Sequence, residues 1–165
     1  MASQPYQYSG QEFSLLRDKG RFVLPALFRK TIKESSANRM VLCIDSHHRW
    51  PCLIGFGLSR AETFADLLTR EERDAERKGA DFDWELRQTQ LNSFRQVPFD
   101  DSGRFVLPSY LAELAGIEDQ IFFQGGGEVV QLWSPARLAA MGQGWENPQA
   151  ACRYLAAEAL AKGGK

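Results

Sequence analysis

The apolar positions of this chain fall into short runs separated by polar turns, a pattern that predicts small strands and helices. The elements predicted in the first half are strands at 11–16, 22–24, 40–44 and 52–56 and a helix at 26–34. Pro25 stands where that helix begins, because the fixed φ of proline suits the first helical position. Asp18 and Gly20 supply turn chemistry between the first two strands.

The same order of elements recurs later in the chain, and one segment recurs almost unchanged. DKGRFVLP at 18–25 and DSGRFVLP at 101–108 agree at seven of eight positions, with an offset of 83 residues. The elements predicted in the second copy are strands at 96–99, 105–107, 121–123 and 129–133 and a helix at 109–115. Each copy closes with a further helical pattern, so strand, strand, helix, strand, strand, helix occurs twice. This order predicts the α+β class.

Neither copy is large enough to be an independent domain. A unit of about 45 residues buries little apolar surface and leaves its sheet edges unpaired. Two similar units can close each other's edges by interlocking about a pseudo-twofold axis, so we expect one composite, barrel-like domain. Two flanking helices are predicted, one with Trp84, Leu91 and Phe94 on its apolar stripe and one over 150–161.

The composition is that of a globular protein without an export signal. Of the 165 residues, 44% are apolar and 25% are charged, which excludes wholesale disorder and collagen-like or disulfide-scaffold proteins. The polar N-terminus lacks the order of a secretory signal, and no apolar run approaches the ~20 residues of a membrane span. We therefore expect a cytoplasmic protein with reduced cysteines and no membrane partner.

Charge is distributed unevenly, although the formal net charge is only -1. Residues 12–34 carry six basic and three acidic side chains, a local net of +3. Residues 95–113 carry two basic and three acidic side chains, a local net of -1. A concentrated basic patch can attract a polyanion in a protein of neutral overall charge, although the same lysines would also suit a solvated helix face.

Arg21 and Arg104 are the most informative polar residues of the repeat. Each follows a glycine turn and precedes a β-favouring run, in the same frame of both copies. Packing explains why the repeated apolar residues persist after a duplication, but it does not explain an identical arginine. A guanidinium held outward on a rigid hairpin can bind phosphate or the edge of a guanine. We therefore expect these two arginines to bind nucleic acid, with common descent alone as the alternative.

Two other kinds of chemistry have weaker support. The zinc-ligand types in C-x3-H-H-x3-C are Cys43, His47, His48 and Cys52. That spacing is not the spacing of a zinc finger, and it is typical of buried thiols on paired strands with a polar turn between them. No nucleophile motif accompanies the two adjacent histidines. We therefore expect no enzyme, no metal and no other cofactor.

Four blocks of sequence carry a resemblance to a known family. They are DKGRFVLP with the following Phe28-Arg29, CLIGFGLSRAETF at 52–64, DDSGRFVLPSYLAELAGI at 100–117 and QIFFQGGGEVVQLWSPARL at 120–138. Their order and spacing are specific. From about Tyr8 to about Met141, the chain resembles the MraZ family of bacterial transcriptional regulators.

The resemblance implies a fold of two tandem AbrB-like swapped-hairpin repeats. These would occupy residues 8–68 and 96–141, with a helical linker at 69–95 and a C-terminal helical tail at 142–165. The family carries Asp-x-x-x-Arg in each copy, and Asp100 and Arg104 match it in the second. In the first copy Arg21 matches, but Arg17 stands at the Asp position. Either Arg17 adds positive charge there, or the neighbouring Asp18 replaces the missing carboxylate.

The resemblance also implies a function. Family members form rings of many subunits and bind direct repeats in double-stranded DNA upstream of the division and cell-wall gene cluster, usually as repressors that include their own gene among their targets. Arg21 and Arg104 would then read bases or phosphates, and Lys19 and Arg17 would contact phosphates. The residues that would support the two motifs are Asp18, Gly20, Asp100 and Gly103. The protein would be associated with the nucleoid.

Two alternatives remain open at this point. The chain could be an oligomeric, ring-forming interaction protein whose DNA binding is weak or lost, because the middle segment is acidic and Arg17 departs from the family pattern. It could also be an AbrB-type regulator of other genes. DNA binding that depends on Arg21 and falls steeply with salt would favour a regulator over the interaction protein.

Overall fold

The computed structural model describes residues 6–163, and over that range it contains eight strands and six helices. The strands are β1 (Gln11–Leu15), β2 (Phe22–Val23), β3 (Val41–Ser46), β4 (Leu53–Phe56), β5 (Arg95–Pro98), β6 (Arg104–Phe105), β7 (Gln120–Gly125) and β8 (Val130–Trp133). The helices are α1 (Ala26–Ser35), α2 (Phe64–Arg77), α3 (Trp84–Leu91), α4 (Ser109–Ala115), α5 (Pro135–Ala139) and α6 (Glu146–Gly163). The predicted α+β class is confirmed.

Six strands form one antiparallel sheet in the order β1-β7-β8-β4-β3-β5. The first strand of each copy pairs with the third strand of the other copy, so that β1 lies against β7 and β5 against β3. Strands β4 and β8 pair with each other at the centre of the sheet. Exchanging the two copies only reverses this order, so the sheet has the internal symmetry of the sequence repeat.

The remaining strands, β2 and β6, form a separate two-stranded antiparallel ribbon, here called the β-ribbon. Phe22 pairs with Phe105 at its centre, and their buried rings lie 6.2 Å apart. Side chains alternate between the two faces of a strand. The arginines that precede these phenylalanines, Arg21 and Arg104, therefore lie on the outer face of the β-ribbon, on the side away from the core.

Buried side chains form one core on the inner face of the main sheet and two smaller clusters on its outer face. The inner core contains the β-ribbon phenylalanines and the apolar faces of α1 and α4. Outside, one cluster lies beneath α2 and α3 and the other beneath α5 and α6. The sequence-based prediction for the first flanking helix was wrong at its end: α3 stops at Leu91, and Phe94 lies beyond it and packs edge-on against Phe56 at 5.6 Å.

The predicted division of the chain at residues 68, 95 and 141 stays a prediction. The long helix α6 lies in the predicted tail, of which residues 164 and 165 are outside the described residues. Between residues 6 and 163, no helix is both long and apolar enough to pass through a bilayer.

The three cysteines are free and buried, and burial raises the pKa of Cys52 to about 12. Within the described part of the chain, no group of three or more potential ligand side chains is arranged to hold a metal ion. The turn that carries His47 is closed by its own backbone, since the His47 N–H donates to the carbonyl of Cys52 at 2.9 Å.

Arg29 on α1 braces the β-ribbon from one side. Its Nε and Nη2 donate to the carbonyl of Leu24 at 3.2 and 2.9 Å. The Leu24 N–H in turn donates to the carbonyl of Gly103 at 2.7 Å. Gly103 has a φ of +86°, and a Cβ there would lie 2.5 Å from the Leu24 oxygen and 2.6 Å from the Arg29 guanidinium. The close approach of these three residues requires glycine at position 103.

The repeated glycines give a matched test of this brace. Gly20 also has a positive φ, of +67°, but a Cβ there would meet nothing within 4 Å. Gly20→Ala should therefore lose only the cost of a left-handed alanine, about 1–2 kcal/mol in the free energy of unfolding. Gly103→Ala should lose about 3 kcal/mol or more, because the backbone oxygen of Leu24 must also move. Urea unfolding at one fixed protein concentration measures both, and equal losses would contradict the brace.

Candidate nucleic-acid interface

Arg104 is held by a dense set of hydrogen bonds to Asp100. Its Nε donates to Asp100 Oδ2 at 2.6 Å, and its backbone N–H donates to Asp100 Oδ1 at 2.9 Å. The N–H of Ser102 donates to the same Oδ1 at 3.0 Å. These donors, the backbone N–H of Arg104 first, hold the pKa of the Asp100 carboxyl below its usual range. Because the Arg104–Asp100 pair is exposed, it fixes the direction of the guanidinium more than it stabilises the fold.

In the first copy the motif arginine, Arg21, is positioned without a side-chain carboxylate. Both loops share one main-chain bond, because the Asp100 N–H also donates to the Arg104 carbonyl, at 3.1 Å. The return bond differs, because the Arg17 side chain cannot accept a backbone hydrogen bond and the Arg17 carbonyl accepts it. The Arg17 N–H donates to the Arg21 carbonyl at 2.7 Å, and the Arg21 N–H donates back at 3.4 Å. Lys19 takes a left-handed conformation, with a φ of 63°. Arg21 Nε donates to the backbone carbonyl of Asp18 at 3.3 Å, so it is the carbonyl rather than the carboxylate of Asp18 that contacts this arginine.

The outer face of the β-ribbon lines a surface groove together with the end of β1 and one side of α6, here called the ribbon groove. Its five basic residues outnumber its three acidic ones. The basic residues are Arg17, Arg21, Arg29, Arg104 and Lys162, and the acidic residues are Glu12, Asp18 and Glu158. The groove is thus a local basic surface on a chain whose formal net charge is -1.

The structure brings four of the eight residues predicted from the repeat into this groove. Arg17, Asp18, Arg21 and Arg104 all line it, although they come from two copies. Lys19 is exposed at the tip of the first turn and does not line the groove. The remaining motif residues, Gly20, Asp100 and Gly103, form the turns that carry the arginines.

The two motif arginines occupy diagonal positions on the β-ribbon. Val23 is directly opposite Arg104, and Arg21 precedes Val23 by two residues on the same strand. Diagonal neighbours on antiparallel strands have Cα atoms roughly 7–8 Å apart. The two arginines therefore lie at neighbouring positions on the outer face of the β-ribbon. The fork of a guanidinium group matches phosphate oxygens or the O6 and N7 atoms of guanine.

Two residues of the groove were missed by sequence reasoning. Arg29 counted toward the basic patch, but its contact with Leu24 and its closeness to Gly103 depend on the pairing of the two copies. The sequence did contain one signal of this difference. Arg29 stands four residues after Pro25, and the equivalent position of the second copy is occupied by Ala112. Lys162 lies near the opposite end of the chain, and nothing in the sequence places α6 beside β1.

The chain is similar to curated bacterial proteins, although no protein-family model matches it. It is 30% identical over 126 residues to the transcriptional regulator MraZ of Rhodospirillum rubrum, and the matched region covers 74% of this chain and 76% of that protein. It is 30% identical over 138 residues to the transcriptional regulator MraZ of Parvibaculum lavamentivorans, with 81% and 79% covered. The corresponding protein of Hydrogenovibrio crunogenus is 30% identical over 117 residues, with 70% and 72% covered.

These relatives come from different bacteria, and each is named as a transcriptional regulator rather than as an enzyme. The similarity extends over most of the length of this chain and over most of the length of each relative. The resemblance found in the repeated motifs is therefore confirmed, and the chain belongs to the MraZ family.

Proposed function

We propose that this protein is a DNA-binding transcriptional regulator that reads double-stranded DNA with the outer face of the β-ribbon. The observation that carries this proposal is the diagonal placement of Arg21 and Arg104 on one exposed, basic face. A two-stranded ribbon fits the width of the major groove of B-DNA, and arginine is the residue most often used there to recognise guanine. The regulator names of the relatives agree with this role.

The arginines and their neighbours have different roles in DNA binding. Arg21 and Arg104 contact base edges or the phosphates beside them. Lys19 at the turn tip and Arg17 at the groove edge contact phosphates, which adds affinity without sequence information. Asp100 positions Arg104, while the first copy relies on the Asp18 carbonyl. The two arginines are thus supported unequally, which suits an asymmetric DNA sequence better than a palindrome.

The finer features of the family extend this proposal. The protein represses the division and cell-wall gene cluster, including its own gene, by binding direct repeats upstream of it, and it acts in the cytoplasm on the nucleoid. Its two copies are AbrB-like swapped-hairpin repeats that together form one barrel-like domain. The exchange of first strands between the copies supports this assignment.

We also propose a homo-oligomeric ring, because the two copies present unlike surfaces beside the β-ribbon. On α1 the exposed residues include Leu27 and Lys30, and at the equivalent positions of α4 they are Tyr110 and Glu113. Leu114 on α4 is 57% exposed and adds to the apolar area. A basic face and an acidic, apolar face on one chain favour head-to-tail contacts, which close into rings. Subunits of such a ring face DNA in the same sense, as direct repeats require.

The main test is a titration of labelled DNA from upstream of the protein's own gene, read by fluorescence anisotropy at several salt concentrations. Arg21→Ala and Arg104→Ala should each weaken binding by about 1–3 kcal/mol if each arginine reads a base. Wild-type binding should fall steeply with salt, because phosphate contacts release counterions. Arg73→Ala, at an exposed position on α2 outside the ribbon groove, should bind like the wild type.

The outcome separates the regulator from the alternative interaction protein. Equal affinity for upstream and random DNA would reject sequence-specific regulation. If an oligomer still formed under those conditions, the ring-forming interaction protein would be the better account of this chain.

A second prediction concerns the unequal support of the two arginines. Asp100→Asn keeps an oxygen for the backbone N–H groups but removes the charged partner of Arg104, so DNA binding should weaken measurably. Asp18→Asn removes the same charge from the first copy and leaves the carbonyl that contacts Arg21. It should therefore bind DNA at least as tightly as the wild type in the same anisotropy assay. A loss of similar size in both variants would show that Asp100 does not position Arg104.

The assembly can be tested by light scattering coupled to size-exclusion chromatography. Leu114→Asp places a charge on the α4 face and should shift the protein toward monomers or small oligomers, because a buried charge without a partner opposes association. Leu86→Asp on α3 is the matched control, since Leu86 is 54% exposed and Leu114 is 57% exposed. An unchanged mass for Leu114→Asp would exclude the α4 face as the subunit contact.

A further inference from the structure

A second concave site lies on the other side of the main sheet, away from the β-ribbon. It is a cavity of about 550 Å³ between the end of β3, the helices α2 and α3, and the turn that joins β7 to β8, and it is here called the outer cavity. Sites for small organic ligands typically have about 300–1,000 Å³. The β-ribbon packs on the inner core, whereas the apolar wall of the outer cavity belongs to the outer cluster under α2 and α3. The two sites are therefore separated by the sheet.

Arg60 is the central basic residue of the outer cavity. Its guanidinium lies over two aromatic rings, 4.9 Å from the centroid of Phe56 and 5.4 Å from that of Phe64. Its Nε is buried and has no hydrogen-bond partner among residues 6–163. Leaving such a buried donor unsatisfied costs about 1–3 kcal/mol, and more for a charged group. The side chain is thus held rigidly by the two rings while one of its donors lacks an acceptor.

Two carboxylates line the same cavity without pairing with Arg60. The described residues form three ion pairs, which are Arg77–Asp74, Arg87–Glu71 and Arg104–Asp100. Asp45 and Glu128 belong to none of them, although both line the cavity with Arg60. Asp45 is 7% exposed, and its Oδ1 accepts from the backbone N–H of Ser46 at 2.8 Å. Arg87 and Glu71 also line the cavity and are paired with each other. Arg60, Asp45 and Glu128 line it without an ion pair among them.

The neutral side of the cavity adds hydrogen-bonding capacity without charge. His47 Nδ1 accepts from the backbone N–H groups of Arg49 and Trp50 at 3.0 and 3.1 Å, which leaves its proton on Nε2. Burial, followed by the charge of His48, lowers the pKa of His47 to about 4, so this imidazole is neutral near pH 7. The apolar wall, with Ile54 and Leu67, can cover the uncharged part of a ligand.

We propose that the outer cavity binds a small phosphorylated sugar, of the sugar-phosphate or mononucleotide class. Arg60 and Arg70 receive the phosphate, because arginine forks match phosphate oxygens in two parallel hydrogen bonds. Asp45 and Glu128 accept from sugar hydroxyls, as carboxylates do when they recognise ribose. Inorganic phosphate alone is too small to reach the arginines and both carboxylates across a cavity of about 550 Å³, and a neutral sugar alone leaves Arg60 without its anion. The ligand must therefore carry both groups.

The test uses calorimetric titration of the full chain, without DNA, with ribose 5-phosphate, AMP, inorganic phosphate and ribose. We expect ribose 5-phosphate or AMP to bind at least tenfold more tightly than either phosphate or ribose. Tighter binding of AMP would indicate that the apolar wall covers a base, and equal binding would indicate a sugar-phosphate site. Because no step involves DNA, failure of this proposal is distinct from failure of the proposed function.

Variants on α2 and on the β7–β8 turn locate the site without disturbing the buried Arg60. Arg70→Gln should weaken binding of ribose 5-phosphate or AMP at least tenfold, and Glu128→Gln should weaken it while leaving inorganic phosphate unaffected. Arg73→Gln, exposed on the same helix but outside the cavity, is the matched control and should bind like the wild type. The proposal is overturned if neither phosphorylated compound binds at millimolar concentration. It is equally overturned if phosphate alone binds as tightly, or if Arg70→Gln behaves like Arg73→Gln.

Discussion

The fold depends on the exchange of the first strand between the two copies. An isolated strand edge presents unpaired N–H and carbonyl groups. Within a single copy the third strand pairs with the fourth along one edge only, and its other edge is left open. Because β1 fills this place in the second copy and β5 fills it in the first, each copy completes the sheet of the other. The β-ribbon follows from the same exchange, since it forms where the two chain segments after those strands meet. The surface that carries both arginines therefore exists only when both copies are folded.

The two copies share the same packing residues but differ in their polar contacts. The packing residues of the repeat remained equivalent, as the facing phenylalanines of the β-ribbon show. The polar support around them differs, because the Arg104 N–H donates to the Asp100 carboxylate while the Arg21 N–H donates to the backbone carbonyl of Arg17. The braces diverged as well, since Arg29 in the first copy corresponds to Ala112 in the second. Symmetric packing with asymmetric polar contacts gives one scaffold on which the two arginines are supported in different ways.

The sequence was informative where a property is local and repeated. The turn glycines, the helix-starting prolines and the alternating apolar runs allowed the α+β class and most elements to be predicted. The identical frame of Arg21 and Arg104 indicated that both point outward after a turn, but not that their strands pair with each other. It was uninformative where a contact joins distant segments. The brace at Arg29, the position of Lys162 and the space around Arg60 all depend on which helix covers which part of the sheet. Phe94 was misassigned for the same reason, because a stripe spacing cannot show where tertiary packing ends a helix.

The pairing of β1 with β7 also sets the order of events during synthesis. Gln11 pairs with Gln124, which lies 113 residues later in the chain. At typical translation rates of 5–20 residues per second, β1 waits roughly 10 s for its partner to leave the ribosome. Through that interval the edge at which β1 pairs is open, and its closure requires a long loop to be ordered, which makes folding slow. An incomplete chain with unpaired strand edges is prone to aggregation, so the nascent protein is most vulnerable before its second half appears.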